Sequence, residues 1–174
     1  MARAFVSIGS NIDPGKNVKE ALRRLGKQVS IQAISTVYLT EPVGPAGQPP
    51  FYNCVIEIAT DLPPHLLKRV VLRRIEDQMG RKRTRDKFAP RTIDLDLLLY
   101  ADLTMMIHDR PLPDPDILRR PFLAISLREI APGLVLPGSS ASVDKAAASL
   151  SCNGMQPLNP YTDRIRKEIL HDRK

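Results

Sequence analysis

The chain has 174 residues and a formal net charge of +7 at pH 7. This length fits one domain with a core large enough to fold unaided, and no run of the roughly 18 apolar residues needed to span a bilayer is present. The N-terminal apolar stretch is too short for a secretory signal, and Cys54 and Cys152 have the spacing of neither a disulfide framework nor a zinc site. We therefore expect a single cytoplasmic domain over residues 1–174, with no membrane association.

The first half of the chain alternates between strand and helix patterns. Apolar spacing predicts strands over residues 4–8, 31–39 and 51–59 and a helix over residues 14–29. Prolines and glycines crowd the segment 40–50, so regular structure is excluded there and we expect a long, shaped loop. A loop of this length in a small domain is usually functional or disordered.

The second half continues this alternation. We predict a helix over residues 63–79, with Val70 among its buried residues, and a strand over residues 93–100. Because Leu98 and Leu99 continue that strand without a polar break, we expect a central strand covered on both faces. The order strand, helix, strand, strand, helix, strand indicates an α+β fold with a ferredoxin-like split β-α-β core, βαββαβ.

Additional helices are predicted near the C-terminus, over residues 122–130, 142–150 and, marginally, 161–171. The last part of the chain, residues 151–174, is polar and interrupted by prolines. We expect this C-terminal extension either to pack as an extra helix or to mediate self-association.

The positive charge is concentrated in the middle of the chain. Ten residues from Lys68 to Arg91 are basic and three are acidic, which favours an anionic partner. A solvated helix face followed by a basic surface loop is the alternative, and composition alone does not decide between them.

Two carboxylates follow this basic segment inside an apolar run. Asp94 and Asp96 are two residues apart in a predicted strand, so their side chains point to the same face and could hold a hard cation. Their position next to the basic loop suggests magnesium-dependent chemistry on a nucleotide phosphate. A surface carboxylate paired with Arg91 is the other interpretation of the same residues.

Several common nucleotide motifs are excluded by their spacing. The segment 9–17 has five residues between its glycines rather than four, and Asn17 stands where a P-loop has Ser or Thr. The dinucleotide fingerprint and the protein-kinase signatures are also absent from the sequence.

The blocks that remain resemble the 6-hydroxymethyl-7,8-dihydropterin pyrophosphokinase family. The most specific block is Arg81-Lys-Arg83 followed by Phe88-Ala-Pro-Arg-Thr-Ile-Asp-Leu-Asp-Leu-Leu-Leu. Supporting blocks occur in order along residues 1–137: Gly9-Ser-Asn11, Tyr38-x-Thr-x-Pro-x-Gly44, Gln48-Pro-x-Phe-Tyr-Asn53, Ile75-Glu76, Arg120-Pro-Phe122 and Glu129-Ile-Ala-Pro132.

The resemblance implies transfer of pyrophosphate from ATP to the 6-hydroxymethyl group of 6-hydroxymethyl-7,8-dihydropterin, giving AMP and the pterin diphosphate in folate biosynthesis. It implies ATP and the pterin as partners, with no nucleic acid and no membrane, and two Mg²⁺ ions held by Asp94 and Asp96. Arg83 and Arg91 would join these carboxylates as catalytic residues. Protein partners are not indicated.

The same resemblance assigns two binding regions. The nucleotide region would comprise Glu76, Arg81, Arg83, Arg91, Leu97, Arg110, Asp114 and Arg120. The pterin region would comprise Gly9, Thr40, Val43, Phe51, Asn53, Phe88 and Phe122. Individually these residues also have structural interpretations, since a phenylalanine is more often core than a stacking surface and Glu76 could simply pair with a nearby cation.

Two positions depart from the family pattern. The family usually has Pro-His-Pro where this chain has Pro113-Asp114-Pro115, which puts the mode of ATP binding in question. Phe51 stands where Tyr is common and lacks its hydroxyl.

Two other functional classes stay open at this stage. A basic ferredoxin-like RNA-binding module would explain the charge and the strand order, although the aromatic signature of such domains is absent. A catalytically inactive relative with a regulatory role is the second alternative. Formation of AMP from ATP and the pterin separates both from an enzyme.

Overall fold

Alternating apolar residues build a six-stranded antiparallel sheet in the computed structural model, which describes residues 1–171. The strands are β1 (Ala2–Ser10), β2 (Ser30–Ile34), β3 (Tyr38–Thr40), β4 (Phe51–Thr60), β5 (Asp94–Tyr100), β6 (Met105–Ile107), β7 (Arg110–Leu112) and β8 (Met155–Pro157). The sheet has the order β5-β1-β4-β3-β8, β2 also pairs with β4, and β6 and β7 form a separate hairpin.

Helices cover both faces of this sheet. They are α1 (Pro14–Gly26), α2 (Pro64–Leu66, a π-helical turn Leu67–Leu72, then Arg73–Gln78), a 3₁₀ helix (Pro115–Leu118), α3 (Pro121–Ile130), α4 (Val143–Ser149) and α5 (Asn159–Arg166, continued by a π-helical turn Lys167–His171). If β2 and β3 are counted as one strand, the order is that of a ferredoxin-like βαββαβ core, so the predicted α+β fold class is confirmed.

The pleat of the sheet separates two hydrophobic clusters. On one face Ile8, Ile56 and Leu97 pack beneath α1, α2 and α5. On the other face Phe5 and Val55 join a cluster formed with α3 and α4. The second cluster covers only part of its face, and the uncovered end of the sheet forms the floor of a cleft.

The strand predicted over residues 31–39 is two strands because Ser35 interrupts it. The Val55 N–H donates to Ser35 Oγ (2.9 Å), which takes the place of a ladder carbonyl, while the Ser35 N–H donates to the Val55 carbonyl (2.9 Å). The next N–H, that of Thr36, donates to Glu129 instead of a neighbouring strand. The chain therefore bends before it pairs with β4 again.

The predicted central position of the strand over 93–100 is wrong. In the sheet, β5 lies at the edge and pairs with β1. Its apolar run is explained by coverage of both faces, because Leu97 belongs to one cluster and Leu98 and Leu99 to the other. Coverage above and below, rather than flanking strands, removes these side chains from water.

The helix predicted over residues 63–79 forms, but its buried face differs from the prediction. Val70 is 44% exposed, whereas Leu72 is buried. The π-helical turn has more residues per turn than an α-helix, so it shifts the following side chains around the axis.

The C-terminal extension packs against the body of the protein. The Tyr161 hydroxyl donates to the Gly15 carbonyl (2.7 Å), and Thr162 Oγ1 accepts the Val37 N–H (3.0 Å). The predicted helix over 161–171 is therefore present and starts at Asn159, while residues 172–174 of the predicted extension lie outside the described residues. Within residues 1–171, no helix is long and apolar enough to cross a membrane.

Truncation of the core side chain of α5 should destabilise the fold. Ile165 is fully buried in the cluster beneath α1, so we expect Ile165→Ala to lower the free energy of unfolding by about 2–5 kcal/mol. Asp163→Ala, on the exposed side of the same helix, is the matched control and should change it by less than about 0.5 kcal/mol. Urea denaturation measures both, and equal stabilities would show that α5 does not pack as described.

Candidate active site

A cleft of about 710 Å³ lies over the uncovered end of the sheet, between the loop that follows β3, the basic loop before β5, and the start of α3. Thirteen of the sequence-predicted site residues line it: Gly9, Thr40, Val43, Phe51, Asn53, Phe88, Arg91, Asp94, Asp96, Arg110, Asp114, Arg120 and Phe122. Most of the residues assigned to either binding region therefore meet in one place.

The carboxylate pair lies on the floor of this cleft. The alternation of β5 directs Asp94 and Asp96 into the cleft and Leu95 and Leu97 into the core. Asp94 accepts hydrogen bonds from Arg91 Nη1 (2.7 Å) and from Arg81. No side chain within residues 1–171 hydrogen-bonds to or forms an ion pair with Asp96.

The two carboxylates have opposite pKa shifts. Burial raises the pKa of Asp96, and the negative charge of Asp94 raises it further. Burial would also raise the pKa of Asp94, but the charges and hydrogen bonds of Arg81 and Arg91 outweigh it and hold that pKa below its usual range. Asp96 thus faces a like charge with no cation paired to it.

The carboxylate oxygens of Asp94 and Asp96 are suitable ligands for a magnesium ion. Two carboxylates on one strand face supply hard oxygen ligands, and Mg²⁺ is usually bound by one or two carboxylates together with phosphate oxygens and water. A divalent cation between Asp94 and Asp96 would also offset the repulsion between them.

A buried glutamate organises the arginines behind the carboxylate pair. Glu76 is 4% exposed and accepts hydrogen bonds from the Leu95 N–H (2.8 Å), from Arg81 Nη1 (2.6 Å) and from Arg83. Burial raises the pKa of Glu76, although the charge of Arg81 and the Leu95 N–H oppose this. Arg81 therefore bridges Glu76 and Asp94 and lies behind the cleft.

Four residues of the predicted nucleotide region do not line the cleft: Glu76 and Arg81, described above, and also Arg83 and Leu97. Arg83 pairs with Glu76 and with Asp77 Oδ1 (3.0 Å), which holds its guanidinium over the end of α2. Leu97 occupies a core-facing position of β5, so its side chain points away from the cleft. Leu97 lies on the predicted strand, and its assignment to the nucleotide region stays a prediction.

Arg91 is held beside the carboxylate pair by Asn11, the residue that follows β1. Asn11 Oδ1 accepts the Arg91 N–H (2.8 Å), and the Asn11 N–H donates back to the Arg91 carbonyl (3.2 Å). The Arg91 guanidinium lies 5.9 Å from the centre of the Phe51 ring. Asn11 is a positioning residue that the sequence analysis had only as part of the Gly-Ser-Asn block, and its burial is the reason for that motif.

A second charge cluster lies directly beside β5, where the Asp114 N–H donates to the Leu98 carbonyl (2.8 Å). Asp114 is 2% exposed and caps the 3₁₀ helix by accepting the Asp116 N–H (2.9 Å), while its other oxygen accepts from Arg110 Nη2 (2.9 Å). Asp116 pairs with Arg120 Nε (3.1 Å). Both Asp114 oxygens are engaged in this structure, one with the Asp116 N–H and one with Arg110, and its predicted place in the nucleotide region stays a prediction.

The pterin region predicted from the family resemblance lies on the same sheet face as the carboxylates. Gly9 pairs with Asp94 on one side and with Asn53 on the other, so the three residues form one row across β5, β1 and β4. A Cβ at Gly9 would lie 2.6 Å from Asn53 Oδ1. The absence of a side chain at Gly9 keeps the space between the amide and the carboxylate open.

The Asn53 amide is oriented by its neighbour in the sheet. Asn53 Nδ2 donates to Thr40 Oγ1 (2.7 Å), and Asn53 itself is buried. This bond leaves Asn53 Oδ1 directed toward Gly9 as an acceptor.

Phe88 connects the two loops that border the cleft. Its ring packs directly on Gly44, whose φ of +125° and lack of a Cβ allow this contact. Lys87 Nζ lies 4.9 Å from the centre of the same ring. An aromatic residue within a charged loop is thereby explained by packing against the proline-rich loop.

The sequence analysis missed several lining residues, and three of them come from the C-terminal extension. The missed residues are Ser7, Glu41, Lys87, Leu98, Asp116, Pro121, Leu123, Asn153, Gly154 and Met155. The last three reach the cleft because β8 pairs with β3, and no local sequence pattern predicts that pairing.

Comparisons with known proteins agree with this geometry. The family model of 7,8-dihydro-6-hydroxymethylpterin-pyrophosphokinase (HPPK) matches residues 5–132. A 2-amino-4-hydroxy-6-hydroxymethyldihydropteridine pyrophosphokinase of Haemophilus influenzae is 34% identical over 163 residues, covering 92% of this chain and 100% of the relative. The Methylorubrum extorquens protein of that name is 36% identical over 159 residues, covering 90% of this chain and 98% of the relative.

Longer proteins contain a similar unit. Folic acid synthesis protein FOL1 of Dictyostelium discoideum is 33% identical over 151 residues, which is 86% of this chain but 23% of that protein. A crystal structure of Plasmodium falciparum HPPK-DHPS superposes with a TM-score of 0.63 at 14% identity, covering 99% of this chain and 46% of the other. At that identity the superposition shows a shared fold.

Removal of the buried glutamate should weaken the fold. Glu76→Ala leaves the buried Leu95 N–H without its side-chain acceptor and removes one of the two carboxylates paired with Arg81, so we expect a loss of about 3 kcal/mol in the free energy of unfolding. Asp77→Ala removes a partner of Arg83 that is 59% exposed and should cost less than about 1 kcal/mol. Chemical denaturation of both variants makes the comparison, and similar losses would contradict a special role for Glu76.

Proposed function

This chain belongs to the 7,8-dihydro-6-hydroxymethylpterin-pyrophosphokinase family, and from that premise we propose how its cleft carries out the family reaction. The protein is an ATP-dependent pyrophosphokinase that transfers pyrophosphate from ATP to the 6-hydroxymethyl group of 6-hydroxymethyl-7,8-dihydropterin. The products are AMP and the pterin diphosphate, and the reaction belongs to folate biosynthesis.

The observation that carries the assignment of roles is the row Asp94, Gly9, Asn53 across three adjacent strands. Neighbouring strands lie about 4.8 Å apart, so roughly 10 Å separates the backbones of Asp94 and Asn53 along this row, and Asn53 Oδ1 leans toward Gly9 between them. That span suits a bicyclic ring read at one edge by Asn53, with its hydroxymethyl group extending toward Asp94. The bare Gly9 leaves room for the ring in between.

We assign Asp94 and Asp96 as the ligands of two Mg²⁺ ions. When bound, the ions would neutralise phosphate charge and align the ATP chain with the attacking alcohol. Both carboxylates lie on the cleft floor, and Asp96 forms no ion pair within residues 1–171. Asp94 would have to share or release the oxygens that Arg81 and Arg91 hold in this structure.

The arginines around the cleft supply the remaining positive charge. The pterin hydroxymethyl oxygen forms a bond to the β-phosphorus of ATP, and the bond from that phosphorus to the oxygen of the α-phosphate breaks. Phosphoryl transfer depends mainly on positioning and charge neutralisation, so a fixed guanidinium is suited to it. Arg91 lies beside Asp94, and Arg110 and Arg120 line the same cleft.

We also assign Arg81 and Arg83 to phosphate binding, but Arg83 can bind a phosphate only after it leaves its present carboxylate partners. Both are paired with Glu76 in this structure, and Arg83 is 40% exposed on the basic loop. Arg83 would have to leave Glu76 and Asp77 to reach a phosphate, which a movement of that loop permits. Leu97 would contribute through its backbone rather than through its side chain.

The pterin would be read by hydrogen bonds at its edge and held by aromatic faces. Asn53 Oδ1 is available as an acceptor for the ring N–H groups, because Nδ2 is bound to Thr40. Phe51, Phe88 and Phe122 line the cleft around this amide, and Val43 lies in the loop above it. Planar rings favour such stacked or edge contacts.

We place the reaction in the cytoplasm, where ATP is available. Cys54 and Cys152 are both free thiols, which accords with a reducing compartment.

Formation of AMP by the intact chain tests the function directly. We expect AMP and the pterin diphosphate to accumulate in equal amounts from ATP and hydroxymethyldihydropterin when Mg²⁺ is present, and neither to form when it is chelated. An inactive regulatory relative would bind the pterin without forming AMP. An RNA-binding module would bind RNA and ignore the pterin.

Loss of the unpaired carboxylate should abolish most of the activity. Asp96→Asn removes one ligand charge from the metal site, and we expect turnover to fall by at least about 100-fold with the fold intact. Asp102→Asn, on the exposed turn after the same strand, is the control and should retain full turnover. Rates of AMP release at saturating substrates compare them, and wild-type turnover by Asp96→Asn would refute the metal assignment.

A methyl group at Gly9 should weaken pterin binding selectively. Gly9→Ala pushes against Asn53 Oδ1, so we expect the KM for the pterin to rise about tenfold while the KM for ATP changes by less than about twofold. Gly15→Ala is the control, because a Cβ there meets its nearest neighbours at an ordinary 3.7 Å. Equal changes in both KM values would mean that Gly9 affects the whole cleft rather than the pterin end.

A further inference from the structure

Part of the cleft wall lies outside the segment that defines the family. The family match ends at residue 132, yet Asn153, Gly154 and Met155 line the cleft. These residues belong to the C-terminal extension, whose function the sequence left open.

A tight turn brings the extension to the sheet. The Met155 N–H donates to the Cys152 carbonyl (3.1 Å), and Gly154 at the third position of the turn has a φ of +79°. A positive φ at this position is the signature of a type II turn and favours glycine. Met155 then starts β8, which adds to the edge of the sheet beside β3.

The register of β8 determines which way Met155 points. Thr40 pairs with Phe51 on one side and with Met155 on the other, so these three residues form a second row across β4, β3 and β8. Directly opposed residues in antiparallel strands share a face and have Cβ atoms about 5 Å apart. Met155 is therefore a half-buried neighbour of Thr40 on the cleft face, while Gln156 is exposed on the other.

The extension after β8 is held at several points, so this wall has a defined place. The Leu158 N–H donates to the Val37 carbonyl (2.8 Å), and Arg166 donates to the Ile34 carbonyl (2.9 Å) and to Glu129 (2.6 Å). The first two bonds tie the chain after Met155 to the segment that precedes Thr40, and the third ties it to α3.

We propose that Met155 is a specificity-determining residue of the pterin subsite. Its thioether side chain continues the wall formed by Phe51 and Thr40 and contacts the ring edge on the side away from Asp94. A flexible, polarizable side chain packs well against an aromatic edge and excludes water from the hydrogen bonds read by Asn53. This inference rests on the proposed function, because it takes the Asn53 end of the cleft as the pterin end.

Steady-state kinetics on the full chain test the proposal. For Met155→Ala we expect the KM for hydroxymethyldihydropterin to rise about fivefold, with the KM for ATP within about twofold of wild type. Met155→Leu, which keeps an apolar side chain of similar size, should restore the pterin KM to within about twofold. Gln156→Ala, the exposed neighbour on β8, is the matched control and should leave both KM values unchanged.

Failure of the Met155 proposal can be distinguished from failure of the proposed function. An unchanged pterin KM in Met155→Ala, or parallel rises for ATP and pterin, would overturn the role of Met155 while wild-type turnover still supports the function. No AMP formation by the wild type would instead overturn the proposed function. If Met155→Ala does not fold, as judged by its thermal unfolding, Met155→Gln keeps the side-chain length and should show the same selective rise in the pterin KM.

Discussion

The register of the antiparallel sheet is the constraint on which the cleft depends. Gly9 is opposed by Asp94 on one side and Asn53 on the other, so a carboxylate, a bare backbone and an amide follow one another on one face. A slip of β5 by one residue would turn Asp94 into the core and present Leu95 to the cleft. The large apolar cluster beneath that face holds the register in place, because it is filled by the alternate residues of the same strands.

Charge pairing explains how so many arginines are tolerated around one cleft. Glu76 holds Arg81 and Arg83, and Asp94 is shared between Arg81 and Arg91, so each guanidinium has a carboxylate partner. Like charges at this density would repel one another without those partners. The basic loop is thus more than a solvated surface, and a polyanion that enters the cleft competes with carboxylates already in place.

The departure from the family at Asp114 acquires a structural meaning of its own. A buried carboxylate that caps a 3₁₀ helix and binds Arg110 stabilises the segment that packs beside β5. An imidazole at this position could not supply two acceptor oxygens in the same way. In this chain the carboxylate therefore supports this side of the cleft and holds Arg110 at its lining.

Alternation, helical spacing and the family blocks are local features of the chain, so the sequence was sufficient to predict the order of the elements, the fold class and the pair Asp94 and Asp96. It did not determine the break at Ser35, the edge position of β5 or the position of Met155 in the cleft wall. Those depend on which strands pair, and pairing is decided by packing between residues far apart in the chain. The individual site residues could be identified from the linear sequence, whereas the rows that they form across the sheet arise only when distant strands pair.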